Sequence, residues 1–210
     1  SSDLGADLIT VKEVMNQTSG LSAADFSATG AAKDLIKKVN ADGAYDSASE
    51  GTYSDSRVNT ILQAAIIQKA TGQSYRSVIQ DLLVQLELEQ TTFGLKNKTV
   101  DYYESGDSLN GTKVSLDDLD TKVINRLGKD QLVSSPSDMA QLFNYLFNSD
   151  YVAPATLDKV FKNAKGGHAA GFAVDGDSLS LAQSIAGGRN RVEWNLKDQT
   201  GTFLFSNYVN

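Results

Sequence analysis

The sequence predicts an α+β fold in which a helical lobe packs beside an antiparallel β-sheet. Two observations support this prediction. Up to about residue 161, several segments repeat apolar residues at three- and four-residue steps, which is the period of amphipathic helices. From His168 onward, apolar and polar residues alternate, as they do in strands that bury one face. Helices that come first and strands that come last indicate segregated layers rather than a parallel sheet.

The helices can be placed from their capping signals. Thr10 followed by Glu13 has the pattern of a capping box, which starts a short helix that we expect to end in a turn at residues 17–21. The strongest helical pattern begins near Asp55 and ends at Gly72, a residue type that is common just past helix C-termini. Further helices are predicted over residues 31–40, 74–86 and 156–161, and from Pro136 with Ser135 as the N-cap.

The remaining segments are predicted to be strands and loops. Residues 41–52 and 91–129 are polar and are predicted to be loops, and the longer one could wall a cleft. Gly187-Gly188 is interpreted as a turn and not a phosphate loop, because no helix with Lys or Ser/Thr follows it. The 74–86 helix is expected to bury Val78, Ile79, Leu82, Leu83 and Leu86. Strands are expected around Phe172 and Val174, Leu179 and Leu181, Val192 and Trp194, and Phe203 and Phe205.

Composition excludes several classes of function. The 210 residues carry a formal net charge of −7 with both signs mixed along the chain, which argues against nucleic acid as a partner. The chain has no cysteine, so disulfides and thiolate chemistry are excluded. No apolar run approaches the roughly 20 residues of a membrane-spanning helix. We expect one domain, although an incomplete one, over residues 1–210.

Two groups of acidic residues are candidate metal sites. One consists of Asp117, Asp118 and Asp120, and the other of Asp175 and Asp177. Neither has the ligand number or spacing of a calcium loop, so both are interpreted as solvated turns. We therefore expect no metal and no cofactor.

Five segments, in this order along the chain, resemble those of a known family. They are residues 9–21 (ITVKEVMNQTSGL), 53–55 (YSD), 70–75 (ATGQSY), 132–140 (LVSSPSDMA) and 205–207 (FSN). Together they are similar to the β-lactamase-related serine hydrolases, which include class C β-lactamases, D,D-peptidases and esterases. The resemblance implies a partial β-lactamase/transpeptidase-like fold with its cleft between helices and sheet. It also implies acyl transfer by the serine of a Ser-x-x-Lys motif, with a tyrosine as proton relay.

The resemblance also implies site residues. Tyr53 occupies the position of the relay tyrosine of Tyr-x-Asn, and Asp55 stands where that motif has Asn. A carboxylate cannot donate a hydrogen bond as an amide does, so Asp55 either contacts substrate as an acceptor or caps the following helix. The third motif, Lys-Thr-Gly or His-x-Gly, should lie near Gln183 and Ser184, which are therefore expected to bind substrate. His168, the only histidine, matches the preceding strand and is not expected to be catalytic.

No serine in the chain has a lysine three residues later, so the nucleophilic motif is absent from it. We expect a fragment of a bacterial cell-envelope hydrolase, inactive as it stands and extracytoplasmic. Its ligand would be a peptidoglycan-like peptide, β-lactam or ester if the cleft is complete, and a sheet edge left open could cause self-association. One alternative is a noncatalytic binding or scaffolding domain, a pseudoenzyme. A second is an esterase with an unrecognised nucleophile, for which the candidates are Ser19, Ser54 and Ser134.

Overall fold

The computed structural model describes residues 9–22, 33, 34, 37, 45–94, 101–104, 111–115, 117, 127, 128, 131–162, 164, 167–185 and 187–209. The helices in this part of the chain are α1 (Val11–Met15), α2 (Arg57–Thr71), α3 (Tyr75–Gln85), α4 (Pro136–Asn148) and α5 (Pro154–Phe161). The strands are β1 (Ser19–Leu21), β2 (Tyr45–Glu50), β3 (Thr92–Phe93), β4 (Tyr103–Glu104), β5 (Thr112–Lys113), β6 (Leu132–Val133), β7 (His168–Ala169), β8 (Phe172–Asp175), β9 (Ser178–Ile185), β10 (Gly188–Asn195), β11 (Thr200–Ser206) and β12 (Tyr208–Val209).

The main sheet has five strands in the order β11-β10-β9-β8-β7, and all neighbours are antiparallel. Strands that are consecutive along the chain are neighbours in the sheet, so the predicted meander is confirmed. The turn between β7 and β8 consists of Ala170 and Gly171, whose φ angles are 48° and 88°. Two consecutive residues with positive φ are what a two-residue hairpin loop of type I′ requires.

One face of this sheet packs on α4 through an aromatic core. Phe143 of α4 is 1% exposed. The centroid of its ring lies 5.2 to 5.7 Å from the rings of Phe147, Phe172, Trp194 and Phe203. Gly201 lies opposite Trp194 on the neighbouring strand. A Cβ on Gly201 would lie 2.5 Å from Cε3 of that indole, so only glycine admits the ring here.

A second core lies in the helical lobe, where α1, β1 and α2 meet. Its buried residues are Val14, Leu21, Val58, Ile61 and Leu62. The capping signals that define these helices are confirmed. Thr10 and Glu13 form the capping box of α1, Gly72 caps α2 with a left-handed φ of 72°, and Ser135 caps α4.

Residues 17–21 and 41–52 were predicted wrongly to lack strands. A turn at Asn16 and Gln17 does end α1, but β1 follows at once and pairs with β2 inside the predicted 41–52 loop. β2 is mostly exposed and has no apolar alternation, so its pairing depends on backbone groups that leave no pattern in the sequence. The two strands approach closely at Gly20, where a Cβ would lie 2.5 Å from the Asp46 carbonyl oxygen.

Two further predictions need correction. Of the apolar residues expected in the core on this helix and its C-cap, only Leu86 is buried, while Val78, Ile79, Leu82 and Leu83 are half-buried. The 91–129 stretch contains three short strands, β3 to β5. The predicted 31–40 helix falls mostly outside the described residues, as do Asp118 and Asp120.

Phe143→Ala tests the aromatic core. Because this ring fills the space between α4 and the sheet, its removal should lower the free energy of unfolding by about 3–5 kcal/mol. Urea denaturation followed by Trp194 fluorescence measures this change. As a control, Val84→Ala removes a side chain that is 79% exposed and should change stability by less than about 0.5 kcal/mol. Equal effects of the two substitutions would show that α4 does not form the core.

Candidate functional site

Tyr53 lies on the short loop that joins β2 to α2. The backbone of this loop is tied to the connection between α1 and β1 at two points. Gly51 N donates to Thr18 O over 2.8 Å, and Ser54 N donates to Gln17 O over 2.8 Å. These two bonds bracket Tyr53, so the end of α1 determines where the tyrosine loop lies.

The side chain of Gln17 adds a buried network beneath the same loop. Its Oε1 accepts from Ser56 N over 3.1 Å and from Asn59 Nδ2 over 2.8 Å. Asn59 Oδ1 in turn accepts from Ser19 Oγ over 2.6 Å. Gln17, Ser19 and Asn59 are 8%, 0% and 1% exposed. Because buried polar groups without partners are costly, the network favours one arrangement of α1, β1 and the tyrosine loop.

Asp55 does not cap α2, so that interpretation was wrong. The N-cap is Ser56, whose side-chain oxygen accepts from Val58 N over 3.3 Å. Ser56 is buried and its own N–H is held by Gln17, which fixes the start of the helix one residue after Asp55. The Asp55 side chain is exposed beside the loop, and its contact with substrate remains a prediction.

Tyr53 stacks on His168 at the edge of the main sheet. The ring centroids are 3.5 Å apart and the planes differ by 12°. The hairpin that carries His168 is fixed from the helical lobe, because Asn16 Oδ1 accepts from Ala170 N over 3.1 Å. The tyrosine loop and the end of α1 therefore meet the sheet at the same hairpin, the junction where the resemblance places a cleft.

The Tyr53 phenol has a raised pKa. Partial burial is the larger cause, and the negative charge of Asp55 adds to it. A phenol with an ordinary pKa is already neutral at pH 7, so Tyr53 is protonated there. It can donate a hydrogen bond, and its proton is harder to remove than that of an ordinary tyrosine.

Gln183 and Ser184 lie on the part of β9 that extends past its neighbour β8. The β8 ladder ends where Ala173 pairs with Ser180, so among the described residues β9 from Leu181 to Ile185 pairs only with β10. Both side chains are exposed. Register and strand geometry place the Cα of Gln183 roughly 14 Å from that of His168. The structure thus joins Tyr53 to His168 and leaves Gln183 and Ser184 on a separate open edge.

Part of the predicted 91–129 excursion packs at the tip of the β9–β10 hairpin. A Cβ on Gly187 would lie 2.9 Å from Tyr103 N, and one on Gly188 would lie 2.8 Å from Cε1 of Tyr102. The predicted Gly187-Gly188 turn therefore admits the Tyr102 ring. The open edge of β9 ends against this packed segment.

The three candidate serines gain no support as nucleophiles. Ser19 is fully buried and donates to the Asn59 amide, which is not a base. Ser134 Oγ lies 2.8 Å from Thr91 Oγ1, which donates to the Asp138 carboxylate over 2.7 Å. That chain of hydroxyl groups joins the N-terminus of α4 to the turn before β3. Ser54 is exposed, and its backbone N–H donates to Gln17 O.

Sequence reasoning missed Asn16, Gln17, Asn59 and the His168 contact. The one local signal in the sequence is the polar run Asn16-Gln17-Thr18-Ser19, and the structure shows that all four residues are buried. The described residues contain no group of three or more acidic or histidine side chains that could hold a metal ion. No helix among them is both long and apolar enough to cross a bilayer.

Comparison with known proteins agrees with this architecture. The sequence model of a family described as Beta-lactamase matches residues 3–202. No curated protein sequence matches the chain. Similar solved structures include FmtA from Staphylococcus aureus, with 17% identity, a TM-score of 0.76, and coverage of 96% of this chain and 57% of that one. The chain thus spans less than two thirds of the length of this relative.

Two other solved structures share the fold. D-amino acid amidase from Ochrobactrum anthropi SV3, complexed with D-phenylalanine, has 16% identity and a TM-score of 0.69, and the match covers 94% of this chain and 64% of that one. The octameric penicillin-binding protein homologue from Pyrococcus abyssi has 15% identity and a TM-score of 0.71, with 93% and 51% covered. At these identities the likeness demonstrates the α+β fold and leaves the individual site roles as predictions.

Asn59→Asp tests the buried network. The carboxylate retains an acceptor for Ser19 but loses the donor to Gln17 Oε1, so we expect a loss of about 1–3 kcal/mol in unfolding free energy at pH 7. Near pH 4 the loss should be smaller, because a protonated carboxyl can donate. Asn144→Asp, at an exposed position, is the control for denaturation at both pH values. Equal stability of the two variants at pH 7 would contradict the network.

Asp55→Asn tests the electrostatics at Tyr53. Removing the negative charge makes the phenolate easier to form, so the Tyr53 pKa should fall. It should stay above the ordinary tyrosine value because burial is the larger cause of the shift. NMR titration of tyrosine Cζ, assigned with Tyr53→Phe, measures this pKa. Asp158→Asn, on α5, should leave it unchanged, and a rise in the pKa of Asp55→Asn would contradict the account.

Proposed function

The chain belongs to the β-lactamase family, and on that premise we propose that it is part of a bacterial cell-envelope serine acyl hydrolase of the β-lactamase or D,D-peptidase type. The observation that supports this most is the position of Tyr53. Its ring is 3.5 Å from His168 at the sheet edge, on a loop held by buried hydrogen bonds. A relay phenol needs such a fixed position at the junction of the two lobes.

In this site Tyr53 acts as a hydrogen-bond donor. The neutral phenol can stabilise a developing negative charge, while its raised pKa makes complete transfer of the proton less favourable. Asp55 lies two residues after Tyr53. Its carboxylate only accepts hydrogen bonds, so it pairs with a substrate N–H rather than with a carbonyl. These two roles are the catalytic part of the proposal.

The substrate-binding part is the open edge of β9. Within the described part of the chain, Leu181–Ile185 pair only with β10, so an extended peptide can pair with their other side, as strands add to sheet edges in other complexes. Successive residues point to opposite faces, so Gln183 and Ser184 flank such a peptide on both sides. Neither residue is charged. The edge therefore suits a peptide bound through amide groups better than one anchored by its carboxylate.

We propose that these 210 residues have no acyl-transfer activity by themselves, as a fragment of the hydrolase would not. Attack on an amide, β-lactam or ester carbonyl needs a hydroxyl activated by an adjacent base. The Ser-x-x-Lys pair that supplies both groups in the family does not occur in the sequence. Extracytoplasmic localisation belongs to the same proposal and is supported by the likeness to structures described as penicillin-binding proteins or their homologues.

A second candidate function is noncatalytic binding by a pseudoenzyme. It is favoured by the combination of an open β9 edge with the missing nucleophile, because peptide pairing needs no activated serine. Self-association through a sheet edge is compatible with either function, and we include it in the proposal. One relative by fold, the homologue from Pyrococcus abyssi, is described as octameric.

Labelling with a fluorescent penicillin tests inactivity. After incubation the intact mass should be unchanged and the band should not fluoresce, because the chain offers no activated serine. A covalent adduct on this chain would overturn the proposal. Extending the coding sequence upstream and repeating the assay separates the candidates: an adduct in the longer product supports the hydrolase, whereas its absence there supports the binding module.

Noncovalent binding of an acetylated peptide ending in D-Ala-D-Ala tests the β9 edge. Gln183→Ala and Ser184→Ala should each weaken binding about fivefold, which corresponds to one hydrogen bond of ~1 kcal/mol, as measured by calorimetry. Ser178→Ala is the matched control, because Ser178 lies on the same strand where β8 covers the edge. Equal weakening in all three variants, or no binding by the unaltered chain, would contradict the β9 site.

A further inference from the structure

We propose that His168 is a positioning residue for Tyr53: the plane of its imidazole holds the phenol ring in one orientation at the sheet edge. This inference rests on the proposed role of Tyr53 as a hydrogen-bond donor and identifies the side chain that directs it. His168 carries no proton in this proposal. It acts through its flat aromatic ring.

The hydrogen bonds of the tyrosine loop do not orient the tyrosine side chain. Gly51 N and Ser54 N fix the backbone on either side of Tyr53, but both bonds are made by neighbouring residues. The ring direction depends on χ1 and χ2, which take one value only where a contact selects it. Tyr53 is 37% exposed, so much of its surface has no packed side chain around it. The ring therefore needs a specific contact to hold its direction.

His168 supplies that contact across a whole face of the ring. The centroids are 3.5 Å apart and the planes differ by 12°. This separation is the contact distance of carbon atoms, so the two rings overlap face to face. Rotation of the phenol out of this plane would press it into the imidazole or break the contact. The stack covers one face of Tyr53 and leaves the hydroxyl at the ring edge able to reach a ligand.

The imidazole is itself held on a fixed support. His168 pairs with Ala173 of β8, and the next residue, Ala169, is 0% exposed. On the other side of the hairpin, Asn16 Oδ1 accepts from Ala170 N over 3.1 Å, and Asn16 is 3% exposed. The hairpin that carries the imidazole is thus bonded to the sheet and to the helical lobe.

Two consecutive residues at the end of α1 align the two rings. The Asn16 side chain bonds to the His168 hairpin, and the Gln17 side chain bonds to the segment after Tyr53. Because the two residues are joined by one peptide unit, the supports of the two rings cannot move far apart. The stack therefore lies where α1 connects the helical lobe with the sheet.

Replacing His168 tests whether a flat ring is what holds Tyr53. In His168→Ala the ring protons of Tyr53 should lose their upfield NMR shift. The Tyr53 pKa should fall, because the imidazole contributes to the burial that raises it. The pKa should stay above the ordinary value, since the Asp55 charge remains. His168→Phe restores an aromatic plane and should restore both the upfield shift and the raised pKa.

Tyr151 is the control within the same spectra. It lies beyond α4 and its ring contacts that of Tyr145, so its Cζ chemical shift at pH 7 should be the same in every variant. A general loosening of the fold would change this signal as well. Loss of the Tyr53 stack alone would not.

Asn16→Ala is the second arm and leaves both rings in the chain. It removes the acceptor of Ala170 N, so the hairpin should lose its alignment with the tyrosine loop. The Tyr53 ring protons should then move part of the way toward their positions in His168→Ala. The Trp194 indole signal should stay in place, which shows that the main sheet remains folded.

The outcomes are separate from those of the proposed function. Tyr53 signals and a Tyr53 pKa that do not change in His168→Ala would overturn the inference. So would a His168→Phe variant that behaves like His168→Ala, because the aromatic plane would then not be what holds the ring. These readings need no ligand and no acylation. A penicillin adduct on this chain would overturn the proposed inactivity and leave the role of His168 in place.

Discussion

One buried amide, the side chain of Gln17, connects the parts on which the candidate site depends. It accepts hydrogen bonds from the first turn of α2 through Ser56 N and Asn59 Nδ2, and its backbone carbonyl accepts from Ser54 N. With a φ of 59°, Gln17 holds a left-handed conformation that is uncommon for a residue with a side chain. The backbone turn ends α1, and the side chain then reaches the tyrosine loop. Gln17 thus holds the loop after Tyr53, and the neighbouring Thr18 carbonyl, which accepts from Gly51 N, holds the loop before it.

The same constraint explains why the two halves of the predicted site differ. The Tyr53 half is rigid, since buried bonds hold the loop and Asn16 holds the facing hairpin. The β9 half is an open edge with two uncharged, exposed side chains. In the proposed function, the fixed Tyr53 phenol serves as a hydrogen-bond donor and the β9 edge binds an extended peptide. The Ser-x-x-Lys motif is absent from the sequence, so the proposal gives these residues a part in binding a carbonyl and none in attacking it.

Much of the fold could be predicted because its signals are local. The helices α2 and α4 follow from caps and apolar spacing, and the meander follows from alternation. β2 could not be predicted, because a polar strand pairs through its backbone and shows no pattern. The motif pointed to Tyr53, but the hydrogen bonds that hold its loop could not be predicted, because Gln17 bonds to residues 39 and 42 positions away. The stacking of His168 on Tyr53 could not be predicted either, because only the tertiary fold brings the two rings together.

The most direct test of this account uses the single histidine as a reporter. Stacking on Tyr53 should shift the NMR signal of the His168 Cε1 proton upfield, and Tyr53→Leu should return it to the value of free histidine. If Gln17 positions the tyrosine, Gln17→Ala should move the signal most of the way to that same value while the Trp194 indole signal stays in place. A His168 signal that is unchanged in a folded Gln17→Ala variant would contradict the central claim.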